Sequence, residues 1–521
     1  MKFTGTVYLV GAGPGDPGLL TARGVELLGR ADVVVYDALV NPDLLRLAPK
    51  TAETIFAGKR SRAHAIPQAE LNQLLVTKAR AGKCVVRLKG GDPYIFGRGG
   101  EEAEELADAH IPFEVVPGIS SIVAAPSYAG IPLTHRAHCS SFTVITGHED
   151  PEKEELSLDY AQLARAPGTK VILMGVERIG VIAEALIAQG MKAQSPVAMV
   201  RWGTTGRQQS ITGTLATIAQ LVAKADFKAP AVAVIGEVVR LREKLNWFEH
   251  RPLFGRRVVV TRTREQASQL THRLQELGAD VLEIPTIRLQ RPDDVQPLIE
   301  ALQGMGEYDW LVFTSPNGVT SFFDYFSKAY DDIRALGHLR IAAVGPATAA
   351  KIKELHLRVD VMPPEYVAKK VAHAMQEFES LENLRILIAR AQVANPDLPK
   401  TLEKMGAIVD EVPVYKTVPE TEDDAGMAAR LEEEGADWIT FTSSSTVENF
   451  HARIPLPALL QKHPRIRLAS IGPETSNALQ TLGLTPHLEA SPHTIEGLVK
   501  GLVGQVASPV TPVSASSASA Q

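Results

Sequence analysis

The chain has 521 residues, 45% apolar and 22% charged, a balance that builds ordinary cores and excludes global disorder. At ~150 residues per domain, the length predicts about three or four globular units. Lys and Arg number 54 against 60 Asp and Glu, a net charge of −6, so no basic excess points to nucleic acid or an acidic membrane, and an acidic small molecule must be held by local basic clusters. Cys84 and Cys139 are the only cysteines, which argues against a disulfide framework or a Cys-based zinc site and fits a reducing, cytoplasmic setting. The N-terminal MKFTGTVYLVGAGPGD lacks the apolar stretch and cleavage site of a secretory signal.

In chain order, short apolar runs bounded by Gly, Pro or Asp alternate with helical patterns. The runs include TVYLVGAG (6–13), DVVVYD (32–37), CVVRLKGG (84–91), FTVITGH (142–148), KVILMG (170–175) and PAVAVIG (230–236). Helical spacing marks 19–31 and 69–82, so the fold class is α/β with mostly parallel sheets. The uncharged stretch from Val115 to Thr134 is about long enough to span a bilayer, but three prolines and two glycines make it read as turns. NWFEHRPLFGRR (246–257) breaks the periodicity and marks a seam near 246–256.

Beyond the seam the chain repeats itself at a spacing of about 128. VVVTR (258–262) matches ILIAR (386–390), and LGADVLEIPTI (277–287) matches MGAIVDEVPVY (405–415). DWLVFTSPNGV (309–319) matches DWITFTSSSTV (437–447), and RIAAVGPATAAKI (340–352) matches RLASIGPETSNAL (467–479). Four matches in one order predict a duplicated α/β unit, two lobes about a cleft with hinge motion. Residues 507–521 are small, polar and uncharged, and are expected to form a disordered tail.

Gly11-Ala12-Gly13-Pro14-Gly15-Asp16 follows a strand, where a dinucleotide fingerprint would sit, but Asp16 replaces the third glycine and Pro14 removes an N–H. That argues against a nicotinamide oxidoreductase, the main alternative for this half. Further turns close other strands: Gly90-Gly91-Asp92-Pro93, Pro117-Gly118-Ile119-Ser120-Ser121, Met174-Gly175 and Gly203-Thr204-Thr205. Glycine at strand ends admits a ligand to the backbone.

With GAGPGDPGLLT, YDALV (36–40), FAGKR (56–60), RLKGGDPYIFGRGGEE (87–102), VPGISS and AGIPLTHR (116–136), TGH (146–148), LMG (173–175) and LNWF (245–248), residues 5–248 resemble the uroporphyrinogen-III C-methyltransferases. The resemblance implies a two-lobed fold unlike the common Rossmann methyltransferase, a homodimer, and two S-adenosylmethionine-dependent methylations of uroporphyrinogen III to precorrin-2, a precursor of siroheme and cobalamin. By position it implies cofactor contacts at Pro14, Gly90, Gly91, Asp92, Ile95, Ser120, Ser121, Met174 and Gly203, with Asp37 as proton acceptor and Lys59 as donor. Ser120-Ser121 stands where the family often has Thr-Ala. From the residues themselves, Asp37 is a candidate general base or a cap, and Lys59 a proton donor or a carboxylate binder. Arg87, Lys89, Arg98 and Arg136 are further carboxylate candidates or structural ion pairs.

In the second half, each repeat carries a Thr-Ser run after a strand, from Thr314-Ser315 and from Thr442-Ser443, and a Gly-Pro-x-Thr turn ending in Thr348 or Thr475. Such residues start helices, whose free N–H groups bind carboxylates or simply receive caps. No metal-ligand spacing or Walker motif occurs, so no metal is expected. With VPVYKT (412–417) and SPHTIEGLV (491–499), residues 255–506 resemble uroporphyrinogen-III synthase. That implies cofactor-free closure of hydroxymethylbilane with loss of water and inversion of the last pyrrole. It also implies substrate contacts at Arg262, Thr314, Ser315, Ser443, Thr475 and Thr494, and a cleft tyrosine, Tyr415, assisting departure of the hydroxyl. At the 128 offset Tyr415 aligns with Ile287, an asymmetry the duplication does not require.

The expected architecture is two bilobal α/β modules in tandem, 1–248 and 255–506, joined by a linker at 249–254. The second module's lobes are roughly 255–288 plus 418–506, and 289–417. Expected partners are small molecules, with neither nucleic acid nor membrane. The alternative is a methyltransferase fused to a non-catalytic tetrapyrrole-binding or sensor module.

Overall fold

The computed structural model describes residues 5–58, 66–147, 159–261, 264–364, 368–421, 423 and 426–507. Lys59, Arg262 and the tail from 508 lie outside them.

The first sheet holds β1 (Val7–Gly11), β2 (Val33–Tyr36), β3 (Glu53–Phe56), β4 (Val85–Lys89) and β5 (Phe113–Val116), in the order β3-β2-β4-β1-β5, all neighbours parallel. Alternate side chains serve two cores. Val7, Leu9, Val33 and Val35 pack under the helices Gln68–Arg80 and Gly99–Asp108, while Val10, Val34, Val86 and Leu88 meet Leu27 and Leu28 of the helix Ala22–Leu28. A sheet covered on both faces reads as unbroken apolar runs, which is why these strands show no period of two. Parallel strands also place the loops after β1, β2, β4 and β5 along one edge.

The second sheet holds β6 (Phe142–Thr146), β7 (Thr169–Leu173), β8 (Pro196–Arg201), β9 (Gln209–Thr214) and β10 (Ala231–Ile235), in the order β6-β7-β10-β8-β9. Here the mostly parallel expectation fails: β10 is antiparallel to β7 and β8, and β9 to β8. The loop 202–208 is too short for a crossover, so β8 and β9 form a hairpin. Since β7 and β8 both oppose β10, they end at the same edge and present Met174 and Gly203 together. The uncharged stretch after β5 forms the helix Ser121–Tyr128, whose Ile122 and Ala125 pack on Val171, Val200 and Val232 of this sheet. Among the described residues, no helix is long and apolar enough to cross a membrane.

The seam is a packed joint. Phe248 is 3% exposed, with its ring against Tyr128 and Phe254, and Leu253 is fully buried with Val258, Leu270 and Leu274.

The second half holds β11 (Arg257–Val260), β12 (Asp280–Glu283), β13 (Ile287–Gln290), β14 (Trp310–Phe313), β15 (Arg340–Ala343), β16 (Arg385–Ala391), β17 (Ile408–Pro419), β18 (Trp438–Phe441), β19 (Arg467–Ser470) and β20 (Leu488–Glu489). They form two sheets, β12-β11-β18-β19-β20 and β13-β17-β16-β14-β15. The repeat spacing equates β11 with β16, β12 with β17, β14 with β18 and β15 with β19. Under that correspondence, β12-β11-β18-β19 and β17-β16-β14-β15 are one topology. Each lobe therefore combines the first strand pair of one copy with the second pair of the other. The lobes connect through two chain segments, where Ile287 pairs with Pro419 antiparallel and the Glu420 N–H donates to Thr286 O at 3.0 Å.

Candidate active sites

In the first unit the loops after β1, β4 and β5 interlock through backbone. Gly13 and Gly91 exchange N–H···O bonds of 3.2 and 2.7 Å, both at positive φ. Asp92 accepts from the Gly118 N–H (3.0 Å) and the Tyr94 N–H (2.9 Å). A side chain at Gly118 would collide with the Gly91 carbonyl and sit 2.7 Å from the Gly11 Cα. Asp37, just past β2, accepts from Gly90 N–H at 3.2 Å and Leu39 N–H at 3.0 Å, with an Arg87 Nη2 at 3.8 Å. Ser120 is buried and caps the helix Ser121–Tyr128, its hydroxyl accepting from Ile122 N–H at 3.3 Å, so this oxygen serves the helix and Ser121 opens its first turn.

The second sheet closes the crevice. Gly203 lies so near the helix that a Cβ there would meet Ala125 Cβ at 2.5 Å. The Asp16 N–H donates to Thr204 Oγ1 (3.1 Å), and the Tyr128 hydroxyl donates to Asp16 (2.7 Å). Pro14 thus stands on a loop tied to both sheets. Met174 takes a φ of +52° and is 49% exposed, and Ile95 lies exposed between Tyr94 and Phe96 on the loop after Asp92. Of the basic candidates, Arg87 and Lys89 are buried on Glu102, at 3.3 and 2.6 Å, and act as structural ion pairs. Burial, then the neighbouring Arg87, lowers the Lys89 ammonium pKa despite Glu102. Arg98 pairs with Glu101 on the surface.

In the second unit, Ser315 caps the helix Pro316–Ala329, accepting from Gly318 N–H at 3.0 Å, and its hydroxyl meets the Tyr415 hydroxyl at 3.1 Å. Thr314 is the residue just before it. A β-bulge aims Tyr415: Arg390 pairs with Pro413 but Ala391 with Tyr415, leaving Val414 as the extra residue. Val412, Val414 and Tyr415 consequently all enter one core, which strict alternation would forbid.

On the other lobe, Ser443 caps the helix Ser444–Arg453 in a reciprocal capping box with Thr446. The Ser444 hydroxyl donates to Glu474 O at 3.0 Å, and Gly472 abuts the His493 ring, so the turns bearing Ser443, Thr475 and Thr494 form one cluster. Thr475 is buried in the first turn of the helix Pro473–Thr481, and Thr494 Oγ1 accepts from Gly497 N–H at 3.1 Å.

Sequence reading missed two features. Asp16, seen only as a failed glycine, is the clasp between Thr204 and Tyr128, a pairing across 112 to 188 residues that no local pattern announces. Arg390, the repeat equivalent of Arg262, is buried and paired with Glu411; the 128 spacing itself could have pointed to it.

Strand-end loops on two pairs of sheets, in tandem, define a double-headed α/β protein. Residues 6–219 match the model for tetrapyrrole (corrin/porphyrin) methylases, and 268–500 that for uroporphyrinogen-III synthase HemD. The porphyrin biosynthesis protein HemD of Ruminiclostridium josui is 40% identical over 96% of this chain and 98% of its own. The uroporphyrinogen-III C-methyltransferase of Bacillus subtilis is 38% identical over 80% of this chain and 85% of its own. A Thermus thermophilus uroporphyrin-III C-methyl transferase structure, complexed with S-adenyl homocysteine, is 41% identical over 46% of this chain and 94% of its own, with a TM-score of 0.40. The chain belongs to the family of porphyrin-biosynthesis proteins that join a tetrapyrrole methylase to a uroporphyrinogen-III synthase.

Proposed function

We propose that the chain is a bifunctional tetrapyrrole enzyme that closes hydroxymethylbilane to uroporphyrinogen III in residues 255–506 and methylates that product twice in residues 1–248, giving precorrin-2. The observation that carries this reading is the match of both families, in one chain, to two separate stretches, residues 6–219 and 268–500.

S-adenosylmethionine supplies an electrophilic sulfonium methyl. Such a ligand suits the first site: Gly11, Gly118 and Gly203 leave no room for a side chain and Gly91 takes a positive φ, so the strand-end loops pack closely at the edge where the cofactor would lie. Gly90, Gly91, Asp92, Ser120, Ser121, Pro14, Ile95, Met174 and Gly203 are the proposed binding residues. Asp37, fixed by two N–H donors, takes the proton lost from the methylated macrocycle. Lys59 serves as proton donor or carboxylate binder. Orientation does much of the rest, because a pyrrole carbon must lie in line with the breaking bond.

In the second cleft, helix N-termini beside Ser315 and Ser443 receive substrate carboxylates, joined by Thr314, Thr475, Thr494 and Arg262. Tyr415 donates a hydrogen bond to the departing hydroxyl, oriented by Ser315. The protein works in the cytoplasm as a homodimer through its methyltransferase half, and the two activities divide at the 249–254 joint.

Purified chain given hydroxymethylbilane and S-adenosylmethionine should release the dimethylated product, followed by mass spectrometry. Asp37→Asn should cut methylation by about a hundredfold or more and spare ring closure; Tyr415→Phe should do the reverse. Absent ring closure would leave the second half a binding module, and equal losses in both reactions would contradict the division.

A further inference from the structure

Where the two units meet, a cavity of about 670 Å³ is lined by Arg201, Arg207, Arg257, Arg430, Lys462 and Arg465, against three carboxylates, Asp280, Glu434 and Asp437. This volume lies within the ~300–1,000 Å³ of small-molecule sites. It is not the synthase cleft: Arg257 and Asp280 begin their strands and Asp437 precedes β18, whereas the cleft residues follow strand ends.

The carboxylates are already engaged. Asp280 binds Arg257 (2.8 Å) and Arg430 (2.5 Å), Glu434 binds the same two arginines (2.7 and 3.1 Å), and Asp437 binds Arg256 (3.3 Å). Among the described residues, Arg201, Arg207, Lys462 and Arg465 then have no carboxylate within ion-pair distance. Arg201 Nε is buried without a hydrogen-bond partner, and Arg207 lies flat on the Trp202 ring, 3.9 Å from its centroid. Burial, then Arg430, pushes the Arg207 pKa down to about 10, so it stays charged at neutral pH in a setting that penalises the charge. On a chain of net charge −6, Arg201 and Arg207, part-buried without a carboxylate partner, stand beside exposed Arg465 and Lys462, the latter donating to the Glu432 carbonyl at 2.6 Å, and together they leave positive charge for an anion.

We propose that this joint is a third binding site, which takes a multi-carboxylate tetrapyrrole of the uroporphyrinogen type. Several cations without a carboxylate partner, spread around one cavity, suit several carboxylates on one ligand better than a single small anion. The assignment rests on the reading that the chain handles such a molecule in both halves. The same loop, 202–208, carries Arg207 into the cavity and Thr204 onto Asp16 of the candidate cofactor loop, and the Gln208 side chain accepts from Thr204 N–H at 3.0 Å. The joint and the methylation crevice thus share one loop.

The test uses the full chain and uroporphyrin III, the stable oxidised octa-carboxylate, in titration and hydrogen exchange. Wild type should show a binding event that protects 201–209 and 430–437. Arg207→Gln should weaken it about tenfold, the worth of one charge-assisted hydrogen bond, and Arg465→Gln, an exposed rim change that leaves the fold alone, severalfold. Both variants should keep wild-type ring closure and methylation at saturating substrate. Unchanged affinity and protection in both variants would overturn the proposal. So would protection of these segments by pyrophosphate but not by uroporphyrin, which would mark a simple anion site. Parallel product assays separate the two readings: inactive halves with intact joint binding would sink the enzyme reading alone.

Discussion

Ser315 carries two hydrogen bonds at one oxygen: it accepts from Gly318 N–H to cap a helix, and it meets the phenol of Tyr415. Ser315→Ala loses both. The cap alone is worth about 1 kcal/mol, and a phenol released from its partner no longer holds one direction. Ring closure should fall by more than that cap accounts for, whereas Ser315→Thr should retain most of the rate because threonine keeps the hydroxyl. Equal rates for the alanine and threonine variants, measured with hydroxymethylbilane, would show that Tyr415 needs no such orientation. Asp37, by contrast, is held by backbone donors, so no single neighbouring side chain should reproduce the effect of its own replacement.

Among the elements, three strand-end loops meet with no side chain between them. Gly118 faces Gly91 and Gly11 so closely that even a methyl group must force the β1, β4 and β5 loops apart. Gly118→Ala should therefore weaken S-adenosylhomocysteine by about tenfold or more in calorimetry, on the scale of overpacking costs of 1–3 kcal/mol, and leave ring closure untouched. Wild-type affinity would place the ligand elsewhere. The parallel sheet makes this meeting necessary, for it delivers every β-to-α loop to one edge. The bulge in β17 is the counterpart in the second half: a single extra residue turns Tyr415 toward Ser315.

Across the whole molecule, the connecting segment is fastened to the first unit by Glu249. It accepts from Gln208 Nε2 (2.9 Å) and the Ser210 hydroxyl (2.6 Å) of the β8–β9 hairpin, and it pairs with Arg242. Burial pushes the Glu249 pKa up, but Arg242, Ser210 and Gln208 outweigh that and hold it below the ordinary glutamate value of 4.5. A depressed folded value means the stabilisation is fully present above pH 4.5 and disappears as pH falls through the lower, folded value. Limited proteolysis from pH 6 downward should open the 246–256 segment only below that threshold, while Glu249→Gln should open it at every pH. A wild-type joint insensitive to acid would remove Glu249 from this role. Gly206 adds a steric condition, since a side chain there would strike the backbone of Ala279 and Asp280 in the other unit.

The α/β class, both family resemblances and the duplication were legible in the sequence, because buried parallel strands, glycine turns and capping residues are local signals. The antiparallel strands of the second sheet were not, since Val-rich β8 and β10 look alike in either direction and only the short 202–208 loop fixes the hairpin. The burial of Arg87 and Lys89 on Glu102, the Asp16 clasp and the bulge behind Tyr415 depend on partners brought together by folding. The sequence by itself determined the chemistry on offer: two sets of strand-end loops, and no metal-ligand spacing. Only the tertiary structure decided which charges are spent within the fold and which, at the joint, remain for a ligand. Pairing of charges is a matter of ångström distances between remote residues, and spacing along the chain does not encode them.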